Sequence, residues 1–279
     1  MIEVALVGDP VAHSVSPAIQ SAAFAATGLD WQYRLIRVAD GELEKAWPGL
    51  ARRFRGLNVT SPHKQTAALL ADALSPTARA CASVNTLTFG PSGALGDSTD
   101  GAGFLRALRR AAPWVPEIAV VLGTGGAARA VVAALSAEGI EVRVVGRNHL
   151  AGLELARDLA GAGPGRIGFC GDGQVVLAAA LDDAGLLVNA TTLGGPAQSG
   201  RSPVPDGVQL RRELIVFDLV YLPRSTPLLS RAKVSGCLVV EGLDMLVEQG
   251  ALSFEAWTGV EAPLREMREA ADQAVAARS

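Results

Sequence analysis

A glycine-rich segment in the middle of the chain could bind a phosphate group. Gly123, Gly125 and Ala128 form a GxGxxA pattern between a wholly apolar run, Ile118 to Leu122, and a segment with helical periodicity. Residues with little or no side chain allow a pyrophosphate to approach the backbone amides at a helix N-terminus. Because a predicted strand precedes the motif and a predicted helix follows it, we interpret it as a dinucleotide-binding turn. The residues expected to contact the cofactor here are Gly123, Thr124, Gly125, Gly126 and Ala127.

The end of the next predicted strand indicates which dinucleotide binds. Enzymes that use NAD usually carry Asp or Glu about 20 residues after the glycine motif, where the carboxylate binds the adenosine ribose. This chain has Gly146 and Arg147 there. A guanidinium can hold a 2′-phosphate through two charge-assisted hydrogen bonds, and the missing carboxylate removes a repulsion that the phosphate would meet. The pattern favours NADP; the alternative is that Arg147 is a solvated loop cation.

Lys64 and Asp100 are the residues that could move a proton. When a ketone accepts a hydride its oxygen becomes an alkoxide, which needs a proton donor or a cation within hydrogen-bond distance. A lysine in a partly desolvated site can be that donor, and a nearby aspartate can orient it and share the proton. On spacing alone the two residues are equally compatible with ordinary surface positions, so both interpretations stay open.

Alternating strands and helices must position these residues. Apolar runs followed by helical segments recur through the first hundred residues and predict a small parallel or mixed sheet. Ser16, followed by Pro17, is expected to cap the first helix, and Ser61 with Pro62 to open a later one. A Rossmann-like sheet is predicted from a βαβ unit over 118–145 and from strands at 186–189, 215–218 and 237–240, with an amphipathic helix over 242–257 after them.

Length and composition fit two lobes of α/β class. The 279 residues exceed the roughly 100–200 of a typical domain, and 31 glycines with only 5% aromatic residues suit helices and strands joined by tight turns. A net charge of −3 with mixed signs gives no broad positive field for nucleic acid or anionic lipid. The start of the chain carries Glu3 where a signal peptide needs a basic residue, and no apolar run reaches the roughly 18 residues that span a bilayer, so we expect a cytoplasmic protein.

Other potentially reactive side chains are given structural interpretations. Cys81, Cys170 and Cys237 lie far apart, without a CxxC pair or a His at metal-ligand spacing, so neither a disulfide framework nor a metal site is predicted. We expect all three to be buried small side chains. Asp244 and Glu248 are expected on the solvent side of the last amphipathic helix.

Motifs along nearly the whole chain resemble the shikimate dehydrogenase family and stand in the family's order. Together they are far more specific than any one alone. They are HSVSP (His13 to Pro17), NVTSPHK (Asn58 to Lys64), SVNT (Ser83 to Thr86), STDGAGF (Ser98 to Phe104), GTGGAARA (Gly123 to Ala130), NATTLG (Asn189 to Gly194), DLVYLPRSTPLL (Asp218 to Leu229), GLDMLVEQG (Gly242 to Gly250) and WTG (Trp257 to Gly259).

The resemblance implies the roles of particular residues. Lys64 and Asp100 would be the acid/base pair, and Ser14 and Ser16 would bind the carboxylate of shikimate. Asn58 is expected to brace a loop, as is Asn189. The hydroxyl groups of shikimate would be held by Thr60, Lys64, Asn85, Asp100 and Gln249, with a further contact from Tyr221. Besides the glycine motif and Arg147, the cofactor would contact Thr191, Leu219 and Gly242.

The resemblance also implies a reaction and a division of the chain. The reaction is the reversible NADPH-dependent reduction of 3-dehydroshikimate to shikimate, a step toward chorismate and the aromatic amino acids. Residues 1–101 plus 241–279 would bind substrate and residues 102–240 would bind NADP, in a monomer or a homodimer. Gly146 and Asn148 flank Arg147 where the family usually has Asn and Thr. Two alternatives stay open: an NAD-using shikimate/quinate or aminoshikimate dehydrogenase, and a non-catalytic nucleotide-binding homologue.

Overall fold

Strands and helices alternate along most of the chain from Ile2 to Ala276. The computed structural model describes residues 1–112, 114 and 116–278. The chain divides into two compact units: unit 1 contains Met1–Gly103 and Val247–Arg278, and unit 2 contains the intervening Phe104–Leu246. Unit 1 is therefore built from the two ends of the sequence.

Among the described residues, unit 1 has a six-stranded mixed sheet in the order β2-β1-β3-β5-β6-β4. The strands β1, β2 and β3 run parallel, and β5 lies antiparallel to both β3 and β6. The carboxyl ends of β1 and β3 thus meet the amino end of β5 at one edge of the sheet. The strands are β1 (Ile2–Gly8), β2 (Trp31–Arg37), β3 (Gly56–Val59), β4 (Ala73–Leu74), β5 (Thr86–Gly90) and β6 (Gly93–Asp97).

Helices cover both faces of this sheet. Alternate residues of a strand point to opposite faces, and the face of Ala5 and Val7 packs on α2 and α3. On the other face Tyr33 contacts Trp257 of α10, with ring centroids 6.2 Å apart. The helix α11 packs on α1. The helices with residues in unit 1 are α1 (Ser16–Ala26), α2 (Leu43–Arg53), α3 (Lys64–Leu70), α4 (Pro76–Cys81), α5 (Asp100–Ala111), α10 (Gly242–Thr258) and α11 (Leu264–Ala276), of which α5 and α10 continue from one unit into the other.

In the part of unit 2 that the structure describes, six parallel strands follow the order β9-β8-β7-β10-β11-β12. This is the doubly wound order, in which successive strands are added on one side of β7 up to β9 and on its other side from β10 onward, and dinucleotides bind at such a switch point. The Rossmann-like sheet predicted from the sequence is confirmed. Its elements are β7 (Ile118–Leu122), α6 (Gly126–Ala137), β8 (Glu141–Val145), α7 (His149–Asp158), β9 (Ile167–Gly171), α8 (Gln174–Leu181), β10 (Leu186–Asn189), β11 (Ile215–Asp218), α9 (Pro227–Val234) and β12 (Leu238–Glu241).

Two predicted helix starts are wrong. The N-cap of α1 is Val15, and Ser16 is already the first helical residue, so its hydroxyl does not occupy the capping position. The segment that begins at Ser61 is a turn that ends with His63 as the N-cap of α3. As a result Lys64 is the first residue of α3.

Two predicted surface assignments are also wrong. Cys170 is exposed because it lies on β9, an edge strand of the second sheet, whereas Cys81 and Cys237 are buried as expected. Glu248 is only 1% exposed, so packing buries it despite its charge. Within the described residues no helix combines the length and the apolar character that crossing a membrane requires.

Candidate functional site

Lys64 and Asp100 meet in unit 1. Each is the first residue of its helix, α3 for Lys64 and α5 for Asp100, and the Nζ atom of Lys64 donates a hydrogen bond to Oδ2 of Asp100. Their side chains are 12% and 6% exposed. A charged pair this far from bulk water interacts more strongly than a surface pair, and it costs more to leave one partner alone. The structure therefore brings together the two side chains that spacing alone left apart, and their acid/base role stays a prediction.

Asn85 orients the other oxygen of this carboxylate. Its Nδ2 atom donates to Oδ1 of Asp100 at 2.8 Å and lies 3.1 Å from Oε1 of Gln249. Its Oδ1 atom accepts from the backbone N–H of Thr99 at 2.8 Å. The amide is thus held at both ends, and both oxygens of Asp100 have a donor. This geometry fixes the carboxylate plane and, through it, the position of the lysine.

The C-terminal helix α10 supplies one side of the same cluster. Gln249 accepts from Asn85 through its side chain and from Oγ1 of Thr99 through its carbonyl, at 3.1 Å. Gln249 can pack this closely on α5 because residue 103 is a glycine. A Cβ atom on Gly103 would be 2.7 Å from the backbone nitrogen of Gln249. The sequence named Gln249 as a site residue through the family resemblance, and the structure places it beside Asn85.

Thr60 directly follows β3, and Ser14 and Ser16 lie where the loop after β1 enters α1. The Oγ atom of Ser14 accepts from the backbone N–H of Ser16 at 3.2 Å, and the two residues are 7% and 9% exposed. The backbone N–H of Thr60 donates to Val7 at 2.9 Å, and a Cβ atom on Gly8 would lie 2.3 Å from Cγ2 of Thr60. The two hydroxyls at the N-terminus of α1 form a place where a carboxylate would meet donors and a favourable helix dipole.

A second layer of hydrogen-bonded polar side chains lies behind Asn85. Of its members, the sequence analysis assigned a bracing role only to Asn58. Asn58 accepts from the hydroxyl of Tyr33 at 2.7 Å and donates to Ser253 at 3.0 Å. Ser253 lies 2.8 Å from the hydroxyl of Thr86, which donates to Oδ1 of Asn85 at 3.1 Å. Asn58 therefore braces the site rather than facing it, as expected. The other members carry ordinary residue types on separate elements, and no local pattern signals that they meet.

The glycine motif stands at the switch point of the second sheet. Gly123 has a φ of +112°, and a Cβ atom there would lie 3.0 Å from the carbonyl oxygen of Ala190 in the loop after β10. Gly125 is the N-cap of α6, and among the described residues nothing lies within 4 Å of a Cβ atom built on it. Ala128 is fully buried between helix and sheet. The crowded first position and the open second one are what close approach of a pyrophosphate to the helix N-terminus requires. Thr124, Gly126 and Ala127 lie in the same turn.

A buried polar network joins the loops that follow β10 and β11. Oδ1 of Asp218 accepts from Asn189 at 2.8 Å, and its Oδ2 accepts from Thr226 at 2.6 Å. Burial raises the pKa of Asp218 above its ordinary value, against the opposite effect of these hydrogen bonds. Asn189 also accepts from Oγ1 of Thr191 at 2.7 Å. Asn189 is thus a bracing residue, as expected.

The remaining predicted cofactor contacts surround this edge of the second sheet. Leu219 donates its backbone N–H to the carbonyl of Asn189 at 3.0 Å. A Cβ atom on Gly242 would lie 2.5 Å from the carbonyl oxygen of Leu219, so only glycine allows this approach. Tyr221 is half-buried, three residues beyond β11.

Arg147 follows β8 at the same edge. Its side chain is exposed and, within the described part of the chain, makes no hydrogen bond or salt bridge. Asn148 caps α7 by accepting from the backbone N–H of Ala151 at 3.1 Å. The guanidinium is therefore available to an anion at the end of β8, where no carboxylate stands in the sequence.

Comparisons with known proteins find similar chains over the whole length. A family model of the shikimate dehydrogenase substrate-binding domain matches residues 6–87, and one of the shikimate 5′-dehydrogenase C-terminal domain matches residues 242–271. The shikimate dehydrogenase (NADP(+)) of Methanosarcina acetivorans is 44% identical over 276 residues, which are 97% of each chain.

Solved structures of the same kind superpose closely. Shikimate 5-dehydrogenase from Thermus thermophilus, in complex with NADP(H) and shikimate, gives a TM-score of 0.85 at 37% identity over 98% of this chain and 100% of that one. A shikimate dehydrogenase in complex with NADP+ gives a TM-score of 0.89 at 31% identity over 99% of this chain and 96% of that one.

Proposed function

The chain belongs to the shikimate dehydrogenase family, and from this premise we propose that it catalyses the reversible NADPH-dependent reduction of 3-dehydroshikimate to shikimate. It is an oxidoreductase that uses NADP. The observation that carries the proposal is the buried cluster of Lys64, Asp100 and Asn85, a proton donor whose carboxylate partner is fixed at both oxygens. A non-catalytic homologue would have no need to maintain such a pair out of water.

Lys64 is proposed to donate the proton in the reduction direction. As the carbonyl carbon of the substrate accepts a hydride, its oxygen gains negative charge and takes a proton from Nζ of Lys64. Asp100 accepts a hydrogen bond from that nitrogen and holds it toward the substrate. Asn85 keeps the carboxylate from rotating. In the oxidation direction the same lysine, neutral, accepts the hydroxyl proton.

The polar groups around this pair fit a small polyhydroxylated acid. Ser14 and Ser16 are proposed to bind the carboxylate at the N-terminus of α1, with the ring hydroxyls held by Thr60, Asn85 and Gln249. Each of these groups, if left without its partner in a closed site, would lose a hydrogen bond, so analogues that lack a hydroxyl should be rejected strongly. The contact from Tyr221 stays a prediction from the family resemblance.

The residues present fit NADP. The open space at Gly125 and the amide groups at the start of α6 would accept the pyrophosphate, and Arg147 the 2′-phosphate. Thr124, Gly126, Ala127, Thr191, Leu219 and Gly242 are proposed as further contacts. The bound nicotinamide supplies or accepts the hydride. The cytoplasmic location, the assignment of substrate and cofactor binding to separate domains, and the choice between monomer and homodimer stay predictions.

The test is the initial rate of shikimate oxidation by the purified protein at alkaline pH, followed at the absorbance of the reduced nicotinamide. NADP and NAD are run side by side, and quinate serves as the control substrate. We expect turnover with NADP and shikimate and much slower turnover in the other combinations. Preferential turnover with NAD or quinate would move the protein to the alternative specificity. Cofactor binding without turnover would contradict the proposal.

A further inference from the structure

An imidazole and a carboxylate meet beside Arg147. His149 is the first residue of α7, and its Nε2 atom lies 2.9 Å from Oδ1 of Asp172, the residue that directly follows β9. The two side chains are 63% and 45% exposed. Exposed ion pairs generally contribute little to stability. The stability of the fold therefore depends little on the contact between His149 and Asp172.

The pair is nevertheless held in place. The backbone N–H of Gly146 donates to the carbonyl of Gly171 at 2.9 Å, which joins the loop after β8 to the loop after β9. The ring of His149 stands edge-on to Phe169, with centroids 5.5 Å apart at 83°. A Cβ atom on Gly171 would lie 3.5 Å from Cε1 of His149, in ordinary contact. Backbone and ring contacts thus fix the carboxylate at the carboxyl end of β9.

This position is close to any phosphate that Arg147 binds. Neighbouring strands are about 4.8 Å apart. Arg147 is the second residue after β8, and Asp172 directly follows the adjacent strand β9. Charges at such separations lie within the Debye length, which is roughly 8 Å at physiological ionic strength, so salt screens their interaction only in part. A bare Asp172 would repel the 2′-phosphate. A protonated His149 cancels that charge, so the pair as a whole is neutral toward the phosphate.

We propose that the His149 and Asp172 pair determines how strongly this protein prefers NADP to NAD, with His149 neutralising a carboxylate that would otherwise oppose the 2′-phosphate. The inference rests on the proposed function, since it assumes that Arg147 faces the 2′-phosphate. It makes His149 and Asp172 specificity determinants rather than catalytic residues. The charge state of the pair, not its hydrogen bond, carries the effect.

The test measures binding of two adenosine fragments by calorimetry, which requires no turnover. Adenosine 2′,5′-bisphosphate carries the 2′-phosphate, and adenosine 5′-monophosphate lacks it. At low salt and about pH 6, the ratio of their affinities is compared between the wild type and the variants His149→Ala, Asp172→Asn and the two combined. One unit of charge near the phosphate should change the ratio about fivefold.

The expected order follows from net charge. His149→Ala leaves the pair negative and lowers the ratio about fivefold, Asp172→Asn leaves it positive and raises the ratio about fivefold, and the double variant returns to within about twofold of the wild type. His149→Gln, which can still donate a hydrogen bond to Asp172, should behave like His149→Ala. Glu154→Gln is the matched control: it removes a negative charge from an exposed position further along α7 and should change the ratio less than about twofold.

Two results would overturn the inference. Unchanged ratios in both single variants would mean that the pair does not act on the phosphate. Equal losses for both fragments in His149→Ala and His149→Gln would mean that it only supports the loop. Failure of the proposed function is distinct, because the wild type itself would then bind the two fragments equally or show no shikimate turnover with either cofactor.

Discussion

Gly103 provides the sharpest test of how the candidate site is assembled. A Cβ atom at this position would lie 2.7 Å from the backbone nitrogen and 2.8 Å from the Cβ atom of Gln249. Both neighbours belong to the main chain or are fixed to it, so they cannot rotate away, and α10 must shift by about half an ångström or more. Overpacking of this kind costs about 1–3 kcal/mol, and the better helix propensity of alanine offsets up to about 1 kcal/mol. Gly103→Ala should therefore destabilise the protein by about 1–2 kcal/mol, which is roughly 2–8 °C in Tm.

The same shift should weaken substrate binding. Oε1 of Gln249 lies 3.1 Å from Nδ2 of Asn85, so a displacement of about half an ångström removes that hydrogen bond. A lost hydrogen bond of about 0.5–1.5 kcal/mol corresponds to a KM for shikimate about 2–13 times higher. We expect kcat to stay within about twofold, because the contact between Lys64 and Asp100 does not include Gln249.

The assay combines thermal unfolding with shikimate oxidation kinetics. Gly250→Ala is the matched control, since it lies on the same helix and its new Cβ atom would find Nε2 of Gln20 at 3.4 Å, an ordinary contact. That variant should be as stable as the wild type or up to about 1 kcal/mol more stable. If Gly103→Ala keeps the Tm and the KM of the wild type, the close approach of the two helices does not position Gln249, and the reasoning fails.

Three further predictions concern the proton donor, the cofactor and a buried acid. Lys64→Ala should remove most turnover while leaving shikimate binding within a small factor, and an equal loss of binding and rate would make Lys64 a positioning group. Arg147→Ala should raise the KM for NADP selectively, with a parallel effect on NAD counting against 2′-phosphate recognition. Asp218 has a raised pKa in the fold, so its contribution to stability is present below the unfolded value near 3.8 and is lost as the pH rises through the folded value. Urea unfolding should show the wild type losing stability relative to Asp218→Asn as the pH rises from about 4 to about 7.5; a difference that does not change with pH would contradict this.

The Rossmann-like half of the molecule could be predicted from sequence because its signals are local. A buried strand, a glycine turn and a helix follow each other within residues 118–137, and the cation at Arg147 comes at the end of the next strand. The order of strands adds only the general topology of such sheets. The proton-transfer site was different: its residues could be named from the family resemblance, but no pattern shows how they meet. Asn85 and Gln249 are 164 positions apart, and their contact exists only because the end of the chain returns to the first sheet.

Three features that were predicted wrongly or not recognised from the sequence have physical causes. Ser16 has the right residue type for a cap, but α1 begins at Ser16 itself, one residue earlier than predicted. Val15, which already has helical backbone angles, is the N-cap. The hairpin of β5 and β6 was not recognised, since β6 reads GALGD and its two glycines and small residues give no strand signal, although β5 reads TLTFG and does alternate. Glu248 was placed in water by its charge alone, although tertiary packing buries it.

The split composition of unit 1 has a consequence for how the protein is made. Residues 104–246 are synthesised between its two parts. At about 5–20 residues per second, the ribosome needs roughly 7–30 s to cross that interval. During this time the nascent chain lacks Trp257, which packs against Tyr33 on the first sheet, and α11, which packs on α1. The apolar surfaces that they cover in the folded protein are therefore exposed. In a chain stalled before residue 247, all of unit 2 has been synthesised, while unit 1 still lacks α11 and most of α10.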